Sequence, residues 1–285
     1  MIDLHTHTTA SDGRCSPAEL VRRAAVAGVT VLSVTDHDTV AAHPAARAAC
    51  QAAGIEFVPG IEITASRDGA DVHVLGYFLD PESPDLLAFL AEQRRRRIDR
   101  AREMIARLAA LGIPLDADAI LEPGMQEGTS VGRPWLARAL VAGGHAATTT
   151  DAFDRWLSRG RPAFLPRAAA RPEEVCARVH AAGGLAAMAH PALVARDEWI
   201  EEFSAAGLDA LEAYHVDHDA ATTARYVSAA RRLGLSVTGG SDYHGDEAHG
   251  PSAPGSVSLP ADEYQLLVGR RATIRATASG AATSS

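Results

Sequence analysis

The sequence predicts an α/β barrel of about seven strands interrupted by a helical insertion. Three observations carry this expectation. Short apolar runs rich in β-branched residues alternate with stretches of helical periodicity, as parallel βα units require. Most of these runs end in a histidine or a carboxylate, which is where barrels of this kind keep their chemistry. From about residue 82 to about residue 162 the strand pattern stops and only helical stretches follow.

In chain order, Ile2 and Leu4 alternate with Asp3, His5 and His7, so a short first strand presents two imidazoles side by side. Ser16, Pro17 and Glu19 read as a cap, a first-turn proline and a capping-box residue, opening a helix that stops at Gly28. Residues 29–35 form an apolar strand ending in Thr35-Asp36-His37-Asp38. A helix over 44–53 leads to strands over 55–64, with Glu62, and 71–79, with His73. Residues 86–111 form one long helix carrying Arg94, Arg95, Arg96 and Arg97, which point around its circumference and read as a solvated face. Shorter helices cover about 134–142 and 150–157, and Ala163-Phe164-Leu165 starts a strand again.

The alternation then resumes. A helix over 171–182 precedes a strand over 185–189 that delivers His190-Pro191. A helix over 198–206 precedes a strand over 208–214 containing Glu212. A helix over 220–233 precedes a strand over 235–238 that runs into Ser241-Asp242-Tyr243-His244. The Ala/Ser/Thr/Gly tail from Ala276 has little to bury and is expected to be disordered. The expected organisation is a discontinuous barrel (1–81 and 163–275), an insertion (82–162) and a tail (276–285).

Composition removes several functions. All 27 basic residues are arginine, so no P-loop lysine, Schiff-base lysine or bridging modified lysine exists. The net charge of −9 argues against a chain-wide basic surface for duplex nucleic acid. Cys15, Cys50 and Cys176 are odd in number, with no C-x-x-C pair, and read as thiols of a reducing compartment. With no basic leader followed by an apolar run and no membrane-length apolar segment, the expected location is the cytoplasm.

The polar residues at the strand ends are His5, His7, Asp12, His37, Glu62, His73, His190, Asp242 and His244. Gathering so many imidazoles and carboxylates at one end of a barrel is costly without cations. At three or four ligands per ion, with a carboxylate able to bridge, the set suits about two or three divalent metals.

These motifs together (His5-Thr6-His7, Ser11-Asp12-Gly13, Thr35-Asp36-His37-Asp38, Gly60-Ile61-Glu62, Val72-His73-Val74, Ala189-His190-Pro191 and Ser241-Asp242-Tyr243-His244) span nearly the whole chain. They resemble the PHP (polymerase and histidinol phosphatase) domain family of metal-dependent phosphoesterases. The resemblance implies a distorted (β/α)7 barrel with a trinuclear site. His5, His7, Glu62 and Asp242 would hold one ion; Glu62 would bridge to a second, held also by His73 and His190; Asp12, His37 and His244 would hold the third. The family uses manganese, iron or zinc, with manganese foremost here, and ligands without thiolate do not choose among them.

Within the family, the inserted helices and the Gly132-Arg133-Pro134 and Gly160-Arg161-Pro162 stretches resemble the branch of 3′,5′-nucleoside bisphosphate phosphatases and 5′-3′ exoribonucleases. This implies hydrolysis of a small nucleotide phosphate ester or of a short 5′-phosphorylated RNA, by attack of metal-activated hydroxide on phosphorus. Arg133 and Arg161 would bind phosphate, since a guanidinium offers two parallel donors. A histidine commonly follows that Arg-Pro pair, and here the position is Trp135, which either stacks on a base or packs in the core. His37 is expected at the reacting centre, His215 as a general-acid candidate, and Asp36 and Asp38 as partners of ligand imidazoles or caps of a turn. The alternatives are another phosphorylated substrate, such as histidinol phosphate or a cyclic sugar phosphate, and a non-catalytic module.

Overall fold

The structure, a computed structural model, describes residues 1–125, 128–245 and 253–282, with the backbone alone for 274–282. Seven strands lie side by side in chain order: β1 (Ile2–Asp3), β2 (Val31–Val34), β3 (Glu56–Arg67), β4 (Ala70–Tyr77), β5 (Leu185–Met188), β6 (Ala210–Tyr214) and β7 (Ser236–Gly239). Leu4 N–H donates to the Gly239 carbonyl at 3.2 Å and Thr6 bridges Tyr243, which brings the first strand against the last and nearly closes a barrel. The first helix, α1 (Pro17–Ala27), begins and ends on the predicted signals. Ser16 accepts from Glu19 N–H, and Gly28 takes the left-handed conformation.

One expectation fails in the sheet. β4 runs antiparallel to both β3 and β5, whereas the other neighbouring pairs are parallel. The reason is local. Asp68 and Gly69 both have positive φ and form a two-residue hairpin turn between Arg67 and Ala70. A parallel return would need a crossover of about a dozen residues, which the sequence does not supply there.

The barrel core is aliphatic, with Leu4, Ile61, Ile63, Leu75 and Leu211 fully buried among alanines of β5 and β6. Between β4 and β5 the chain forms α3 (Pro84–Ala110), α4 (Ala117–Met125), α5 (Arg133–Ala142), α6 (Thr149–Ala152) and a π-turn over Phe153–Leu157. These helices have their own core of Met104, Leu108, Leu121, Leu136 and Leu140. The arginine run of α3 is split. Arg95 and Arg96 pair with Glu92 at the surface as expected, but Arg97 is buried in an ion pair with Asp38. Arg100, three residues on and so on nearly the same face, is buried too.

Ala163-Phe164-Leu165 is not a strand. The Phe164 and Leu165 carbonyls accept from Arg107 and Arg100 of α3, so side chains take the place of a neighbouring strand. The later helices are α7 (Pro172–Ala181), α8 (Pro191–Val194), α9 (Glu198–Ala205), α10 (Ala220–Arg232) and α11 (Ala261–Ala282). Helix α11 runs on to Ala282, into the segment expected to be a disordered tail, whose alanines favour helix. Residues 283–285 lie outside the described residues. Among those described, no helix is long and apolar enough to cross a membrane.

Candidate metal centre

The barrel brings the predicted ligands to one end. His5 and His7 follow β1, His37 follows β2, His190 follows β5, and Asp242 and His244 follow β7. Glu62 sits within β3 and His73 within β4, because that hairpin extends past the other strands. Close backbone packing sets the first strand: a Cβ at Gly240 would lie 2.3 Å from His5 N, and one at Gly13 2.6 Å from the His7 carbonyl carbon. His190, with φ 27° and ψ 61°, is held in a sparsely populated conformation of the kind that clusters at functional sites.

Glu62 is the hub. Its Oε2 faces His5 Nε2 at 3.4 Å, His7 Nε2 at 3.3 Å and His37 Nδ1 at 3.1 Å. Its Oε1 faces His73 Nδ1 at 2.7 Å and His190 Nε2 at 3.1 Å. Asp242 Oδ1 lies 3.2 Å from His5 Nε2 and 3.1 Å from His7 Nε2. Asp12 reaches His244 at 3.4 Å and His37 at 3.6 Å. Two groups able to hold an ion match the expected sets closely: His5, His7, Glu62 and Asp242; and His7, Asp12, His37 and His244. A third is His37, Glu62 and His73.

Electrostatics and hydrogen bonding both favour cations here. Burial disfavours a charge on His5, yet Asp242, Glu212 and Glu62 hold its pKa well above the ordinary imidazole value. His7 is held up to about 10 against the same burial by Asp242 and Glu62. Burial alone would raise Asp12, Glu62 and Asp242, but the imidazoles around them keep all three well below the carboxylate range. At His37 burial dominates and lowers the pKa. His5 Nε2, both His7 nitrogens, His37 Nδ1 and Asp242 Oδ1 are buried without a hydrogen-bond partner. Leaving such atoms unsatisfied costs about 1–3 kcal/mol each, so the donor set fits divalent ions with nitrogen and oxygen ligands.

Two residues outside the predicted ligand set complete the arrangement. Glu212 Oε1 bonds His5 Nδ1 at 2.8 Å and its Oε2 accepts from His190 N–H at 2.7 Å. Its place as a buried carboxylate within a barrel strand, like that of Glu62, is the signal that would have found it. His215 accepts from Asp217 N–H at Nδ1, so its Nε2 carries the proton and faces Asp242 Oδ2 at 3.3 Å.

Other assignments change. His215 is buried, does not line the cavity, and places its Nε2 against the Asp242 carboxylate. Among the described residues, Asp36 bonds none of the predicted ligand imidazoles. It accepts from Thr8 N–H, Thr8 Oγ1 and Ser11 Oγ, and thereby holds the loop that carries Asp12. Asp38 likewise bonds Thr64 N–H and Arg97. Arg161 is exposed on the turn after the π-turn, away from the cavity. Trp135 packs against the insertion core and donates its indole N–H to the Ser11 carbonyl at 2.9 Å. That contact braces the residue before Asp12. Trp135→Phe, which keeps the ring and removes the donor, is expected to weaken metal affinity about 10-fold or more, read by competition with a chelator.

The clusters line a cavity of about 210 Å³. Its opposite wall is Arg97, Gly132, Arg133, Phe153 and Arg167, so Arg133 faces this cavity together with two arginines that the sequence motifs did not place there.

A PHP domain model matches residues 3–114. The chain is 36% identical to the 5′-3′ exoribonuclease Rnm of Salmonella typhimurium over 256 residues, covering 85% of this chain and 84% of that protein. The chain belongs to the PHP family. It is 33% identical to the 3′,5′-nucleoside bisphosphate phosphatase of Chromobacterium violaceum, over 91% of this chain and 92% of that one. A crystal structure from Bifidobacterium adolescentis, assigned as a metal-dependent phosphoesterase, superposes with a TM-score of 0.84 at 34% identity, covering 94% of this chain and 95% of that chain. As a PHP protein with this fold, the chain is a metal-dependent phosphoesterase, and its His/Asp/Glu clusters equip it for divalent ions.

Proposed function

We propose that this PHP protein hydrolyses a phosphate ester of a small nucleotide bearing a second phosphate, such as a nucleoside 3′,5′-bisphosphate, or of a short 5′-phosphorylated RNA. One observation carries the reading: a single cavity has the metal-ligand cluster on one wall and guanidinium groups on the other. The named activities of the Salmonella and Chromobacterium relatives support it.

We assign two or three divalent ions, manganese first, to His5, His7, Glu62 and Asp242, to Glu62, His73 and His190, and to Asp12, His37 and His244. Bound there, such ions supply Lewis acidity toward phosphoryl oxygens and acidify a water for attack on phosphorus. The chain's own residues set the stage. Glu212 on His5 Nδ1 directs His5 Nε2 into the cluster, and the Asp242 carbonyl beside His244 Nδ1 (2.8 Å) directs His244 Nε2 toward Asp12. His215 occupies one Asp242 oxygen and leaves the other for the centre. Arg133 faces the cavity and offers a planar pair of donors to phosphoryl oxygens.

The insertion (82–162) is proposed as the unit that supplies the arginine wall over a barrel made of residues 1–81 and 163–275. The three buried free thiols fit a reducing, cytoplasmic setting. The test is phosphate release from manganese-loaded protein offered adenosine 3′,5′-bisphosphate, AMP, a 5′-phosphorylated RNA and histidinol phosphate, with His37→Asn as control. Selective turnover of the bisphosphate or the RNA, lost in the control, is expected. Turnover of histidinol phosphate alone would move the substrate elsewhere.

A further inference from the structure

The wall opposite the metal ligands carries more positive charge than the described residues balance. Arg97 is fully engaged, by Asp38, the Val131 carbonyl and Thr64 Oγ1. Arg133 meets Asp71 at 3.4 Å. Arg100 has only the Leu165 carbonyl on its Nε, and its Nη2 is buried without a partner. Arg167 has none: its Nε and Nη1 are both buried and unbonded. Among the described residues, four guanidinium groups thus surround two carboxylates, Asp38 and Asp71, which leaves an excess of two positive charges. A small void adjoins the cavity, lined by Arg97, Arg100, Arg133 and Arg167.

An unpaired buried guanidinium is expensive, and several together more so. Burial, reinforced by Arg97 and Arg100, pulls the Arg167 pKa down to about 9, and burial beside Arg133 pulls Arg100 to about 10. A chain keeps such groups where a ligand completes them. The missing charge has the size of a phosphate monoester, which carries about −1.5 to −2 at neutral pH and three strong acceptors.

We infer that Arg167, with Arg100 and Arg133, receives the second, non-scissile phosphate monoester of the substrate while the scissile ester lies against the metal ligands. Adenosine 3′,5′-bisphosphate and a 5′-phosphorylated RNA share this terminal group. The assignment takes its scissile ester from the function proposed above, but the receptor is testable by itself. On this assignment Arg161, on the exposed turn, takes no part in receiving that phosphate.

The decisive comparison is adenosine 3′,5′-bisphosphate against adenosine 3′-monophosphate, which lacks the second phosphate, on wild type, Arg167→Gln, Arg167→Lys and Arg161→Gln. In Arg167→Gln, kcat/KM for the bisphosphate is expected to fall about 10- to 100-fold, and far less for the monophosphate, so the preference narrows. Arg167→Lys restores part of it through charge alone, and Arg161→Gln leaves the preference intact. Equal losses on both substrates, or no loss on either, overturn the inference. The ligand-free melting temperature of Arg167→Gln should equal or exceed that of wild type, because an unpaired charge has been removed; a lower one assigns Arg167 to the fold instead. If wild type turns over neither substrate, the proposed reaction fails, and calorimetry on the manganese-loaded full chain still decides the receptor. AMP binding tighter than adenosine and weakened at least 10-fold in Arg167→Gln supports it, whereas unchanged AMP affinity overturns it.

Discussion

Glu62→Gln is expected to lower hydrolysis of the preferred nucleotide by about 10³-fold, the upper range for losing one centrally placed charge-stabilising group. Both carboxylate oxygens of Glu62 face imidazoles, three at Oε2 and two at Oε1. Glutamine matches the shape but presents an amide donor on one side, where a nitrogen ligand also points. The variant therefore loses a negative charge and gains a misplaced donor at the point where the proposed ion sets meet. Elemental analysis should show a lower metal content per chain, and steady-state phosphate release the lower rate. Activity within 10-fold of wild type at full metal content would show that the reaction does not depend on this hub.

The strand ends made the candidate metal ligands legible. A barrel strand fixes where its last residue points, so His5, His7, His37, His190, Asp242 and His244 could be placed from strand order alone. His73 was legible as a member of the set and not as a strand end, since β4 runs the opposite way and offers it from its middle. The Asp68-Gly69 pair was the available hint, because that dipeptide favours a hairpin.

The arginine wall was far less legible. Helical periodicity gave Arg94 to Arg97 no preferred face, and only packing against Asp38 decides that Arg97 turns inward while Arg95 and Arg96 stay out. Arg167 and Arg161 sit in segments without periodic structure, where spacing carries no direction. The family motif drew attention to Arg161, but Gly160 adopts positive φ and the turn carries Arg161 to the surface. Trp135 illustrates the same limit: its ring was legible as apolar, its bond to the Ser11 carbonyl was not.

The largest loss of stability is expected at Asp38, which ties three elements together. Its N–H donates to the Glu62 carbonyl at 2.9 Å and its Oδ1 accepts from Thr64 N–H at 3.0 Å, both on β3. Its carbonyl accepts from Arg94 at 3.0 Å and its Oδ2 pairs with buried Arg97, both on α3. Removing one partner of a buried ion pair costs about 3–5 kcal/mol, because the remaining charge keeps its desolvation penalty. The left-handed backbone at Asp38 (φ 52°) adds to that for alanine, which tolerates it less well than aspartate or asparagine. Asp38→Ala should therefore lower the unfolding free energy in urea by about 3–5 kcal/mol, a large share of the roughly 5–15 kcal/mol available to a folded domain. Asp38→Asn keeps the Thr64 bond and the backbone preference, so it should lose less. Arg97→Met added to Asp38→Ala should recover much of the loss, since it removes the stranded charge together with its partner. Loss of less than about 1 kcal/mol in Asp38→Ala would mean that the other contacts of α3, among them Gln93 on the Thr64 carbonyl, hold it against the barrel without this ion pair. The arginine wall would then be positioned independently of Asp38.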